Sequence, residues 1–103
     1  MPPSEDPFRV IYPEAVQARL RELVVLLLRQ GYTRRALASS LDRLNARLRL
    51  DPMDCGEPQN RLHHTGLIVR TCFDGPFGVN FGVDEVRRLV FVRRMFIVKG
   101  PKI

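Results

Sequence analysis

The chain has no tryptophan, and only two cysteines, two histidines and two lysines among its 103 residues. Each shortage removes a class of explanation. Cys55 and Cys72, with no CxxC or CxxCH spacing between them, are too few for the bridged framework of a small secreted domain, so a reducing cytoplasm is the expected home. Cys55 sits in an acidic stretch that discourages a thiolate, which argues against a cysteine nucleophile. The N-terminus lacks a basic, then apolar, leader pattern, and the longest apolar run, Leu23 to Leu28, is too short to cross a bilayer. No membrane association is expected. There is no Walker loop, GxGxxG, HExxH or GxSxG; nucleotide hydrolysis, dinucleotide binding, zincin chemistry and a hydrolase elbow all lack support, and no cofactor is expected.

What remains is the composition of one folded domain, 45% hydrophobic and 27% charged. Its formal charge is +6, and 15 of its 17 basic residues are arginine. Such a surplus suits anionic partners, although arginine-rich coding from a GC-rich genome gives the same count. Location says more than the total. Residues 31–50 hold five basic and one acidic residue, and 76–103 hold six and two, whereas 51–75 hold two and four. The second helix and the last hairpin therefore carry the charge.

Residues 1–7, with three prolines and two acids, read as a flexible tail ahead of a single domain over 8–103. Phe8 to Tyr12 is a β-rich run stopped by Pro13. Val16, Leu20, Leu23 and Leu27 then recur at helical spacing, predicting a helix over Pro13 to Gln30 that Gly31 caps. Thr33 caps a second helix carrying Leu37, Leu41, Leu44 and Leu48 and stopped by Asp51-Pro52. A link of about three residues makes the pair an antiparallel hairpin. Asp51 to Asn60 reads as a loop, and three strands follow: His64 to Phe73, Phe77 to Val83, and Leu89 to Val98. The order predicts an α+β layer: an antiparallel helical hairpin on one face of a mostly antiparallel four-stranded sheet, the other face free for a ligand.

Arg93 and Arg94 interrupt an apolar strand, so alternation sends one to each face. With Arg70 they form a candidate phosphate site on a rigid sheet, or they pair with nearby acids. Arg43 and Arg47 share a flank of the second helix and, with Arg61 and Lys99, are candidate nucleic-acid contacts; the alternative is a solvated helix face. His63 and His64 point to opposite faces of a strand and cannot share one ion, so no metal is expected; His64 is the candidate acid/base. The strand phenylalanines Phe73, Phe77, Phe81, Phe91 and Phe96 are explained first by core packing, with a base-stacking platform as the alternative.

One pattern runs through most of the chain: Leu48-Arg49-Leu50-Asp51-Pro52 ending a helix, Gly56-Glu57, Leu62, Arg70 in a strand, Val79-Asn80-Phe81-Gly82-Val83-Asp84-Glu85, then Arg88-Leu89-Val90-Phe91-Val92. It resembles the RelE/ParE toxin superfamily, in which "L..DP", an arginine-bearing strand, "V.Y.VDE" and "R.V.V" follow in this order. The resemblance implies a bacterial cytoplasmic toxin that arrests growth and is held inactive by a cognate antitoxin. It implies either RelE-like cleavage of mRNA on the ribosome or ParE-like poisoning of DNA gyrase. Arg70 with Arg93 or Arg94 would supply cations to a developing phosphorane, with Arg61 matching the family's basic residues before the second strand. The tyrosine or histidine that RelE-like enzymes often carry near the C-terminus has no counterpart in Lys99-Gly100-Pro101-Lys102-Ile103. The competing expectation is a catalytically inactive protein- or nucleic-acid-binding module on the same fold.

Overall fold

The computed structural model describes residues 7–55, 57–62 and 67–98, with 57–62 described by their backbone pairing. Its elements run β1 (Arg9–Ile11), α1 (Glu14–Arg29), α2 (Arg34–Leu50), a 3-10 turn (Pro52–Asp54), β2 (Glu57–Leu62), β3 (Leu67–Asp74), β4 (Phe77–Asp84) and β5 (Leu89–Ile97). Both helices start and stop where local chemistry dictates. Pro13 precedes α1 with φ −58°, Glu14 occupies the positive end of the helix dipole and Arg29 the negative end. Gly31 then takes φ +104°, a conformation that costs a side-chain-bearing residue energy, while its N–H and that of Tyr32 bond the carbonyls of Leu28 and Leu27. Thr33 Oγ1 accepts from the Ala36 amide at 3.1 Å, capping α2 as its sequence position predicts.

The sheet has five strands in the order β1-β5-β4-β3-β2. The expected loop up to Asn60 is corrected here: Glu57–Leu62 pairs antiparallel with β3, making a fifth strand at the sheet edge. Pro58 and Asn60 concealed it because both disfavour strands, but an edge strand tolerates proline, and a register shift between those two residues absorbs the irregularity. β1 pairs parallel with β5, so the apolar strand Leu89–Ile97 lies inside the sheet, between β1 and β4.

Both helices cover one face. Val16, Leu23 and Leu27 of α1 and Leu37, Leu44 and Leu48 of α2 join Cys72, Phe77, Val79, Phe81, Val83, Val90, Val92 and Met95 in one cluster. Phe77, Phe81, Val83 and Val90 are fully enclosed, and each such side chain contributes about 1.5–3 kcal/mol relative to exposure.

The cysteines are paired, contrary to expectation. A disulfide joins Cys55 to Cys72 with their Cα atoms 5.6 Å apart, so neither is a free thiol. A separation of 17 residues says nothing of proximity; the return of the chain along β2 creates it. No helix among the described residues is long and apolar enough to cross a membrane.

Candidate functional site

The sheet face turned away from the helices holds the first candidate. Along β4, Val79, Phe81 and Val83 enter the core, so Gly78, Asn80 and Gly82 occupy the other face. With glycine at two of three positions, this strand lets side chains of its neighbours lie across it. Phe96 of β5 lies across Gly78, where an added Cβ would come within 2.5 Å of its ring. Leu67 of β3 lies similarly over Gly82. Phe73 of β3 meets Phe96 edge-on, with ring centroids 6.2 Å apart and planes at 82°. The Arg94 guanidinium sits over Phe96 at 5.2 Å from the ring centre. Beside them Asn80 donates to Thr71 Oγ1 at 2.9 Å and to the Arg70 carbonyl at 3.3 Å. The result is an arginine-and-aromatic cluster on rigid strands.

Phe73 is 52% exposed, so core packing, the first explanation for the strand phenylalanines, fails for it. It holds for Phe77 and Phe81, which have no exposed surface. The signal was present in the sequence: Cys72 and Phe73 are adjacent in a strand, and only one of them can face the core.

The three arginines proposed for a phosphate site do not gather. Arg70 shares the parity of Cys72 and is 9% exposed, with its Nε donating to the Cys55 carbonyl at 3.1 Å. It is therefore committed beneath the disulfide. Arg94 belongs to the open face. Arg93 is the extra residue at a register shift, since Asn80 pairs with Arg94 while Phe81 pairs with Val92; it is exposed and lines a depression with Ala15, Val16 and Arg19 of α1.

Arg43 and Arg47 are tied to the β3–β4 turn. Arg43 grips both carboxylate oxygens of Asp74 at 2.8–3.1 Å, and Arg47 reaches the Phe73 carbonyl at 3.4 Å. The hydrogen bonds from Arg43 hold the Asp74 carboxyl below its ordinary pKa, against the opposing effect of partial burial. Arg61 lies in β2 in register with Ile68. His63, His64 and Lys99 lie outside the described residues. Among the described residues no three His, Cys, Asp or Glu side chains are grouped to hold a metal ion.

A second candidate is the cleft between the helices, about 530 Å³ in volume. Leu20 of α1 and Leu41, Leu44 and Leu48 of α2 form its walls, and Val79 and Met95 its floor. The leucine stripes of the antiparallel hairpin stand apart at this end. Tyr12 holds the mouth by donating to Asn45 Oδ1 at 2.7 Å, and Gln17 Nε2 donates to the Tyr12 carbonyl at 2.8 Å. Burial pushes the Tyr12 phenol above its ordinary pKa. Sequence periodicity missed this site because helical spacing predicts which residues face inward, not how far two helices separate.

No family model, curated protein or solved structure matches the chain.

Proposed function

We propose that the chain is the toxin component of a type II toxin-antitoxin pair with RelE/ParE-like architecture, acting in the cytoplasm by binding its target. DNA gyrase is the target favoured, and a cognate antitoxin neutralises the protein. The order strand, helical hairpin, antiparallel meander supports the architecture that the sequence motifs imply.

One observation carries the choice of binding over RNA cleavage. Arg70 is buried on the helix side against the Cys55 carbonyl, whereas Arg94 lies on the opposite face of the sheet. Cations must converge within hydrogen-bond reach of one phosphorane to stabilise it. Arg70 and Arg94, on opposite faces, cannot do so, and Arg93 is drawn aside at the register shift to the depression beside Arg19 of α1. Purified protein should therefore inhibit gyrase supercoiling, while transcripts in cells making the protein stay intact. Cleaved transcripts with uninhibited gyrase would replace this function with a ribonuclease.

A second function, binding of single-stranded RNA, is favoured by the Phe73–Phe96–Arg94 cluster. Aromatic faces accept any base, and an adjacent guanidinium attracts the backbone. An anisotropy titration with a labelled RNA oligonucleotide tests it: salt-sensitive binding lost in Arg94→Ala supports it, and binding unchanged in that variant excludes this face.

A further inference from the structure

We infer that the Cys55–Cys72 disulfide is a redox-operated fastening that holds the β2 edge strand on the sheet and keeps Arg70 enclosed.

Three observations converge on the same corner of the fold. The bond joins Cys55, immediately after the 3-10 turn, to Cys72 in the middle of β3. β2 begins two residues after Cys55, and its first residue, Glu57, pairs with Thr71, next to Cys72. The cross-link therefore anchors the end of β2 at which pairing starts. β2 is also weak on its own chemistry: Glu-Pro-Gln-Asn-Arg-Leu contains no β-branched or aromatic residue, Pro58 has no N–H to donate, and the register shifts between Pro58 and Asn60. Finally, the Cys55 carbonyl accepts from Arg70 Nε, so the position of Cys55 sets whether this buried guanidinium keeps that acceptor.

Reduction by a dithiol breaks the S–S bond. Two electrons and two protons pass to the cysteines, giving two thiols, while the dithiol is oxidised to its own disulfide. Both cysteines are about 1% exposed, so a reductant reaches sulfur only after this edge opens. With the tether gone, the β2–β3 pairing loses its covalent anchor. β2 leaves the sheet in a larger share of molecules, baring the β3 edge and loosening the enclosure of Arg70. A reducing compartment raises the open share and oxidation lowers it; in either form Arg70 stays on the helix-side face of β3, opposite Arg94. Cys55 and Cys72 border the buried cluster that holds Leu23, Leu27, Phe77, Phe81 and Val83, but β2 lies at the sheet edge, so its departure should leave the pairing of β4 with β3 and β5 in place.

The full chain tests this in two redox states. Equilibration with oxidised glutathione should lower the mass by two hydrogens and abolish labelling by iodoacetamide; a chain that keeps two free thiols contradicts the proposal. Oxidised and dithiothreitol-reduced protein are then compared by limited trypsin digestion and by phenylglyoxal labelling, both read by mass spectrometry. Reduction should raise cleavage after Arg61 and labelling of Arg70 by about tenfold or more, in proportion to the open population. Amide exchange in α1, α2 and β4 should stay within about twofold. The Cys55→Ser/Cys72→Ser variant should behave like the reduced chain under oxidising conditions. Equal cleavage and labelling in both states would overturn the fastening. Loss of protection throughout the chain on reduction would overturn its local character and leave an ordinary stabilising cross-link.

Discussion

Arg43 and Asp74 meet in a two-pronged ion pair, Nε of the guanidinium donating to both carboxylate oxygens at 3.0 and 3.1 Å and Nη2 to Oδ1 at 2.8 Å. The pair ties the middle of α2 to the β3–β4 turn, 31 residues further along the chain. The same turn needs Gly75, whose φ of +58° suits glycine and whose missing side chain leaves room for Ser40.

Acid should loosen this tie in a defined direction. Asp74 has a lowered pKa in the folded chain, caused first by its hydrogen bonds with Arg43. Its stabilising contribution is complete above the unfolded carboxylate value of about 3.9, and it is lost as pH falls through the lower folded value. Asp74→Asn should lower the thermal midpoint at pH 7 and flatten the acid limb of a midpoint-against-pH curve. A variant whose acid limb superimposes on that of the parent would show that the pair adds nothing.

Phe81→Ala should cost about 3–5 kcal/mol in urea unfolding, because the ring has no exposed surface and sits between the two helices and the sheet. A loss below about 1 kcal/mol would mean that the core is packed differently.

Gly78→Ala should destabilise by about 1–3 kcal/mol through overpacking, since the added methyl meets the Phe96 ring at 2.5 Å. The Phe96 ring signals should shift in an NMR spectrum and the Phe73–Phe96 cross-peaks should weaken. Unchanged aromatic signals would place the ring elsewhere.

Tyr12→Phe removes the bond to Asn45 at the mouth of the cleft and should cost about 1 kcal/mol. Because burial raises the Tyr12 pKa, the unfolded chain ionises first as pH climbs past about 10. Stability from this group is therefore whole below that pH and lost as pH rises toward the folded value. The variant should lack that part of the alkaline loss, as read from unfolding midpoints between pH 9 and about 11.

The helices were legible because Leu23, Leu27, Leu37, Leu44 and Leu48 repeat at helical spacing and Thr33 and Gly31 mark their ends. The strands from Phe77 and from Leu89 were legible for the same kind of reason, with Val79, Phe81 and Val83 alternating into the core. β2 was not, since its residues have no strand preference and its place comes from pairing with β3 and from the bond at Cys55, neither of which is local in sequence. The faces of the arginines were half legible. Alternation separates Arg93 from Arg94, but a register shift at Asn80/Phe81 decides where the extra residue goes. That Arg70 would be enclosed depends on Cys55 arriving from 15 residues away, which no local pattern announces.

Growth of a bacterial host during induced synthesis of the full chain tests the toxin account most directly. Colony counts should stop rising within a few generations, transcripts should remain intact, and co-expression of a cognate antitoxin should restore growth. Undisturbed growth at a confirmed level of folded protein would contradict it.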